Sequence, residues 1–138
     1  MVWGCISHDC NLDLVTIQGN LTGDQYSRDV LQQVVVPHFD NHPLATRPVY
    51  MDDNARPHRS RPVTTSLQSE AVTFLPWPAM SPDLNPIEHI WDMLSRRIHA
   101  REPPVQNIRQ LEAALHREWQ QLSQQDTWGL HPILNFEQ

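Results

Sequence analysis

Lysine is absent from this chain, and all ten basic residues are arginine. They face sixteen acids, which leaves a net charge of −6. A free-standing DNA-binding module usually shows a basic footprint. The composition therefore argues against one, while leaving room for a catalytic domain whose basic partner domain is not among these residues. Cysteine is scarce too: Cys5 and Cys10 stand close together, with His8 and Asp9 between them. A zinc site needs more ligands at better spacing than that. The two are therefore expected as reduced, inert thiols of an intracellular protein, on or beside a hairpin. No apolar run approaches the roughly 20 residues of a membrane-spanning helix. The first residues lack the basic and long apolar regions of a signal peptide. There is no internal repeat and no low-complexity tract.

What is present suffices for one domain: 138 residues can bury a sizeable core. Twelve prolines punctuate the chain into short elements. Residues 2–6 and 12–18 are rich in Val, Ile and Leu, and the polar stretch between them predicts a hairpin. Thr22 suits the N-cap of a helix over 23–36, with Tyr26, Val30, Leu31 and Val34 inward and Pro37 ending it. Residues 38–47 read as loop. Strands are expected at 49–52 and 72–75, with a helix signal over 57–69 between them. Helices over 86–100 and 107–122 follow, parted by Pro103-Pro104. Ile87, Ile90, Trp91, Leu94 and Ile98 recur at helical spacing on the first, and Ile108, Leu111, Leu115, Trp119 and Leu122 on the second.

Two carboxylates stand out. Asp53 closes the apolar run Val49-Tyr50-Met51-Asp52, and Glu88 sits in the first turn of the helix that begins at Pro86. Each has an ordinary explanation. An Asp-Asp-Asn after a strand commonly makes a backbone-bonded turn. Asn85-x-x-Glu88 has the form of a capping box, with Pro86 at the first helical position. Against the capping reading, Glu88 borders the apolar stripe, where a carboxylate can face a cleft, and the helix N-terminus favours its ionised form. Asp52 is the obvious confounder of Asp53, but strand alternation sends it to the opposite face. Asn54 and His58 lie near enough in sequence to assist Asp53, although turn and loop roles explain them as well. Asp83 reads as a loop-capping residue. The arginines are uneven: Arg47, Arg56, Arg59, Arg61, Arg96, Arg97 and Arg101 flank the two acidic motifs, where phosphate would approach. A polar loop at 56–61 and a solvated helix face at Arg96-Arg97 account for them equally well.

Asp53-Asn54, followed by Trp77-Pro78-Ala79-Met80-Ser81-Pro82-Asp83-Leu84-Asn85-Pro86-Ile87-Glu88-His89-Ile90-Trp91, resembles the catalytic domain of the Tc/mariner superfamily of DDE-type DNA transposases. The opening Val2-Trp3-Gly4 resembles the family's second strand, and the likeness runs from residue 1 to about Leu122. The resemblance implies a ribonuclease-H-like α/β fold, a mixed sheet with flanking helices. It implies a partial catalytic domain over 1–122 and a divergent tail over 123–138.

By the same resemblance, Asp53 and Glu88 are the second and third of three catalytic acids, binding Mg²⁺ or Mn²⁺. Asn54 and His58 support them, and Arg56, Arg59, Arg96 and Arg97 are candidates for DNA contact. The implied activity is metal-dependent DNA cleavage and strand transfer, in transposition and integration, in the nucleus. The implied partners are transposon-end DNA and another transposase copy, either a homo-oligomer or the full-length protein, with no membrane. The family's first acid lies on a strand upstream of Val2-Trp3-Gly4, so the domain is expected to lack its first strand and to be inactive as it stands. Asp9 and Asp13, at the hairpin, are on the wrong element to replace it. Loss of a central strand exposes two sheet edges. The hairpin is then expected to pair with the Val49 strand, to loosen, or to lean on another chain. The alternative function is a non-enzymatic remnant that binds DNA or protein.

Overall fold

In the computed structural model of the chain, which describes residues 1–7, 10–43, 47–53, 55–76, 78, 81 and 85–128, the opening apolar runs fold back on each other. Strand β1 (Val2–Trp3) pairs antiparallel with β2 (Val15–Thr16), Val2 opposite Thr16 and Trp3 opposite Val15. Towards the tip, Ile6 bridges Asn11. Two residues separate Trp3 from Ile6 but three separate Asn11 from Val15, so the returning strand carries a one-residue bulge. Leu12 and Leu14 are buried on either side of the exposed Asp13.

A helical run, α1 (residues 23–40), follows. Thr22 caps it, its Oγ1 accepting from the Gln25 N–H at 3.2 Å. Only Gly23–Gln25 and Val36–Asp40 are α-helical; Tyr26–Val35 is wound as a π-helix. The buried residues keep that winding's five-residue step: Tyr26, Leu31 and Val36 on one row, Val30 and Val35 on the next. Val34, expected inward from an α-helical period, is therefore only half-buried, and Val35 takes its place. Pro37 does not end the helix as expected. A proline ring crowds the carbonyl four residues back and offers no N–H. Here the ladder has already shifted to the fifth carbonyl, with Val36 N–H on Leu31 O, and the chain stays helical to Asp40. Gly23 lies so close to Ser60 that a Cβ would stand 1.9 Å from its Oγ. Only glycine lets the start of α1 approach the 56–60 segment this closely.

The strands expected at 49–52 and 72–75 are reduced to one parallel bridge. Tyr50 N–H donates to Thr73 O and Leu75 N–H donates to Tyr50 O, both at 2.8 Å. Among the described residues no ladder joins the hairpin to this segment. A cavity of about 10 Å³ is instead lined by Cys5, Ile6 and Ser7 from the hairpin and by Val49, Tyr50 and Met51. The helix signal over 57–69 resolves into a 3₁₀ turn, Arg56–Arg59, and α2 (Arg61–Ser69) with Pro62 in its first turn. Tyr26, Val30, Leu31, Val35, Phe39, Tyr50, Val63, Leu67 and Val72 form the core of this part of the chain.

The chain divides into two compact units, this one up to Ser81 and a second built from the described residues after it. The second holds α3 (Pro86–His99), α4 (Ile108–Gln120) and α5 (Gln124–Trp128). Ile90, Leu94 and Ile98 of α3 are buried, and Trp91 stacks on Trp119 of α4 with centroids 5.5 Å apart. Arg101 and Glu118 pair at 3.0 Å. Ile108, expected on the buried face of α4, is 79% exposed, because it opens the helix next to its cap at Asn107. Residues 123–138, expected as a tail, begin with a capped helix: Asp126 accepts from Ser123 N–H at 2.8 Å and pairs with Arg97 at 3.2 Å. No helix among the described residues is long and apolar enough to cross a membrane.

Candidate metal centre

Asp52, Asp53 and His58 come together in the first unit, with ligand atoms all within 4.8 Å of one another. The backbone builds this cluster. Tyr50 is pinned by its bridge, after which the chain leaves extended pairing. Asp53 Oδ1 accepts the Ala55 N–H at 3.0 Å, an Asx-type turn, and His58 N–H donates to Ala55 O at 2.9 Å. The tight turn returns His58 to Asp53. Its Nδ1 lies 2.8 Å from Asp53 Oδ1 and 3.9 Å from Asp52 Oδ1. The first is an ion-pair distance without hydrogen-bond alignment. The buried imidazole packs on the ring of Tyr26, centroids 4.3 Å apart, which fixes its plane. Tyr26 and Tyr50 meet hydroxyl to hydroxyl beneath it. Burial pushes both phenols well above their ordinary range.

Asp53 remains open to solvent, its side chain 55% exposed. His58 beside it, and then the Ala55 N–H, hold its carboxyl below the usual range against the opposing effect of partial burial. Asp52 is buried and receives Arg59 at 2.8 Å. The expectation that alternation sends Asp52 away from Asp53 fails, because pleating ends at the Tyr50 bridge and the Asp52 carboxylate turns in towards His58. Two carboxylates and an imidazole, one carboxylate facing water, suit a hard divalent cation that keeps some of its own water. The sequence offered one signal for this grouping, the short spacing between Asp53 and His58.

The other candidates are placed differently. Glu88 is exposed in the first turn of α3, in the second unit. Asn85 caps that helix through the Ile87 N–H at 3.2 Å, while the reciprocal bond from Glu88 to the Asn85 N–H is not among the hydrogen bonds of the described residues. Arg59 is engaged by Asp52 and lies over the Phe74 ring at 4.2 Å. Arg96 pairs with Asp92 at 2.6 Å on the exposed face of α3, and Arg97 pairs with Asp126. Arg56 is exposed. Asn54, Trp77 and Asp83 lie outside the described residues.

Residues 1–112 match the family described as DDE superfamily endonuclease. The chain belongs to that family. Among related sequences, the transposable element Tcb1 transposase of Caenorhabditis briggsae is 37% identical over 116 residues, 83% of this chain and 42% of that protein. The Tc1 transposase of Caenorhabditis elegans is 36% identical over 98 residues, 71% of this chain and 35% of that protein. This DDE domain is thus of the Tc/mariner type, and the chain spans less than half the length of these curated relatives. Its fold is that of the Mos1 transposase catalytic domain, solved with raltegravir and Mg: TM-score 0.71 at 17% identity, covering 93% of this chain and 65% of that one. A second Mos1 structure, solved with Mn, matches at TM-score 0.66 and 16% identity, covering 94% and 72%. The fold is ribonuclease-H-like, with the sheet of the described residues reduced to the hairpin and the Tyr50–Phe74 bridge.

Proposed function

We propose that this chain carries part of the phosphoryl-transfer core of a DNA transposase, acting on transposon-end DNA in the nucleus. Asp53 and Glu88 serve as carboxylate ligands for Mg²⁺ or Mn²⁺. Bound divalent ions would stabilise charge on the attacking and leaving oxygens of an in-line displacement at phosphorus. The chain's own residues prepare for this. His58 and the Ala55 N–H hold Asp53 Oδ1, which leaves Oδ2 as the oxygen offered to a cation. Burial of His58 against Tyr26 keeps the arrangement rigid. The observation that carries the reading is the ionised, solvent-facing Asp53 held by His58 within the family-matched stretch.

Thermal melting with and without Mn²⁺ tests it. Mn²⁺ should raise the Tm of the unmutated chain, since a ligand bound only to the folded state stabilises it. Asp53→Asn should abolish the rise and Glu88→Gln should reduce it. A rise unchanged in Asp53→Asn would sink the assignment. Any Mn²⁺-dependent cleavage of transposon-end DNA should likewise disappear in Asp53→Asn, and cleavage that survives that substitution would count against the assignment. The reading as a DNA-binding remnant gains little from three of its four arginines, since Arg59, Arg96 and Arg97 are each held by an acid, while Arg56 is exposed.

A further inference from the structure

The second unit carries a cleft of about 360 Å³ that the chemistry at Asp53 does not use. One side is the segment joining α3 to α4, with Pro103 and Pro104. The other is α4, with Gln110, Ala113 and Arg117 on one face of successive turns. Arg101 lines it too, and no acid does. Local bonds place these groups. Asn107 caps α4 by accepting the Gln110 N–H at 3.0 Å, and the Gln110 side-chain oxygen accepts the Gln106 N–H at 2.9 Å. That bond occupies the oxygen of the amide and leaves its NH₂ as the group offered to a ligand. Arg101 donates through Nη1 to Glu118 Oε1 at 3.0 Å, one of the five N–H groups of its guanidinium. Arg117 is exposed, and among the described residues it has no ion-pair or hydrogen-bond partner.

We propose, resting on the reading of the chain as part of a DNA transposase, that this cleft seats the sugar-phosphate backbone of DNA, in a contact that needs neither metal nor a particular base sequence. The side-chain groups it offers for hydrogen bonding are donors: two guanidiniums and an amide NH₂. A phosphodiester is an acceptor only, and planar guanidinium forks suit its paired oxygens. Ala113 and the two prolines supply an apolar wall for the sugar. An acidic peptide fits less well. Peptides dock by pairing with an exposed backbone edge or by filling aromatic-lined grooves. Here two consecutive prolines remove the N–H groups such an edge requires, and no aromatic side chain lines the cleft. The same lack of aromatics leaves bases nothing to stack on, so the contact is to the backbone, which positions DNA without reading it.

Fluorescence anisotropy of the 138-residue chain with a labelled random-sequence duplex in EDTA tests the proposal. The unmutated chain should bind, with an affinity that falls steeply with salt. Arg117→Gln should weaken binding severalfold and lower the salt slope by about one, the loss of one phosphate contact. Arg117→Lys should restore most of the affinity, since an ammonium still meets phosphate as a point charge. Arg28→Gln removes the same charge from an exposed position in the first unit and should bind as the unmutated chain does. Asp53→Asn should also leave this metal-free affinity unchanged, so the result stands apart from the Mn²⁺ shift in Tm that tests the acids.

Absence of metal-free binding by the unmutated chain would overturn the cleft as a DNA contact. So would an Arg117→Gln variant that binds normally, or an equal loss in Arg28→Gln, which would reduce the effect to net charge. A polyglutamate peptide that binds the chain in an Arg117-dependent way where the duplex does not would make the cleft a protein-docking surface instead.

Discussion

At the scale of single residues, the first unit rests on a few charged groups held by specific neighbours. Arg59 is the partner of a carboxylate whose side chain is only 3% exposed. Arg59→Ala should lower stability by about 1–3 kcal/mol, the cost of removing one partner from a buried polar group. Asp52→Asn in the same background should recover part of it, and a double-mutant cycle by urea unfolding reads the coupling. In the second unit, Asp126 is held below its ordinary range first by the Ser123 N–H and then by the Ser123 hydroxyl and Arg97. A carboxyl with a depressed folded pKa stabilises the protein above its unfolded value and loses that contribution as pH falls through the folded one. The contribution of Asp126 should thus be complete above about pH 5, one unit over its unfolded value of 3.8, and fade below that value. Asp126→Ala should lower the Tm at neutral pH and change it least at the acid end, read from melts across pH.

At the scale of elements, α1 makes the sharpest demand, because its winding decides which valine is inside. Val35→Ala should cost about 2 kcal/mol, two buried methyl groups, and Val34→Ala distinctly less. The reverse order in denaturant unfolding would mean an α-helical register. Gly23→Ala should destabilise by about 1–3 kcal/mol despite alanine's better helix propensity, because its Cβ would run into Ser60. The elements also show what a sequence discloses. The helices at Pro86 and Ile108, with their Asn85 and Asn107 caps, were legible because capping and a 3.6-residue period are local signals. The hairpin was legible from two apolar runs around a polar tip. Pro37 inside a helix was not, since a π-winding follows from tertiary packing rather than propensity. The strand at Val49 was overread, because apolar content marks burial but not whether neighbours exist to pair with. In the Asp52–Asp53–His58 cluster, Asp53 stands out by its place after the apolar run, whereas nothing local in the sequence says that the turn brings His58 back to it. Asp52 was misplaced because its orientation depends on where pleating stops.

At the scale of the whole molecule, a net charge of −6 sets the terms for any encounter with DNA. Duplex binding without metal should be weak and fall steeply with salt. Mn²⁺ should raise it by neutralising carboxylates, and fluorescence anisotropy of a labelled duplex measures both. An affinity indifferent to Mn²⁺ would place DNA contact away from the acids. The two units can also be watched separately. Trp91 and Trp119 stack with only 26° between their planes, inside the second unit alone. Two indoles so close and so nearly parallel couple their electronic transitions and give circular dichroism a signed couplet that a lone tryptophan does not produce. That band is a built-in optical gauge of α3–α4 packing. Its loss on heating, set against the loss of helical signal from the chain, would time the opening of one unit relative to the other without any added label.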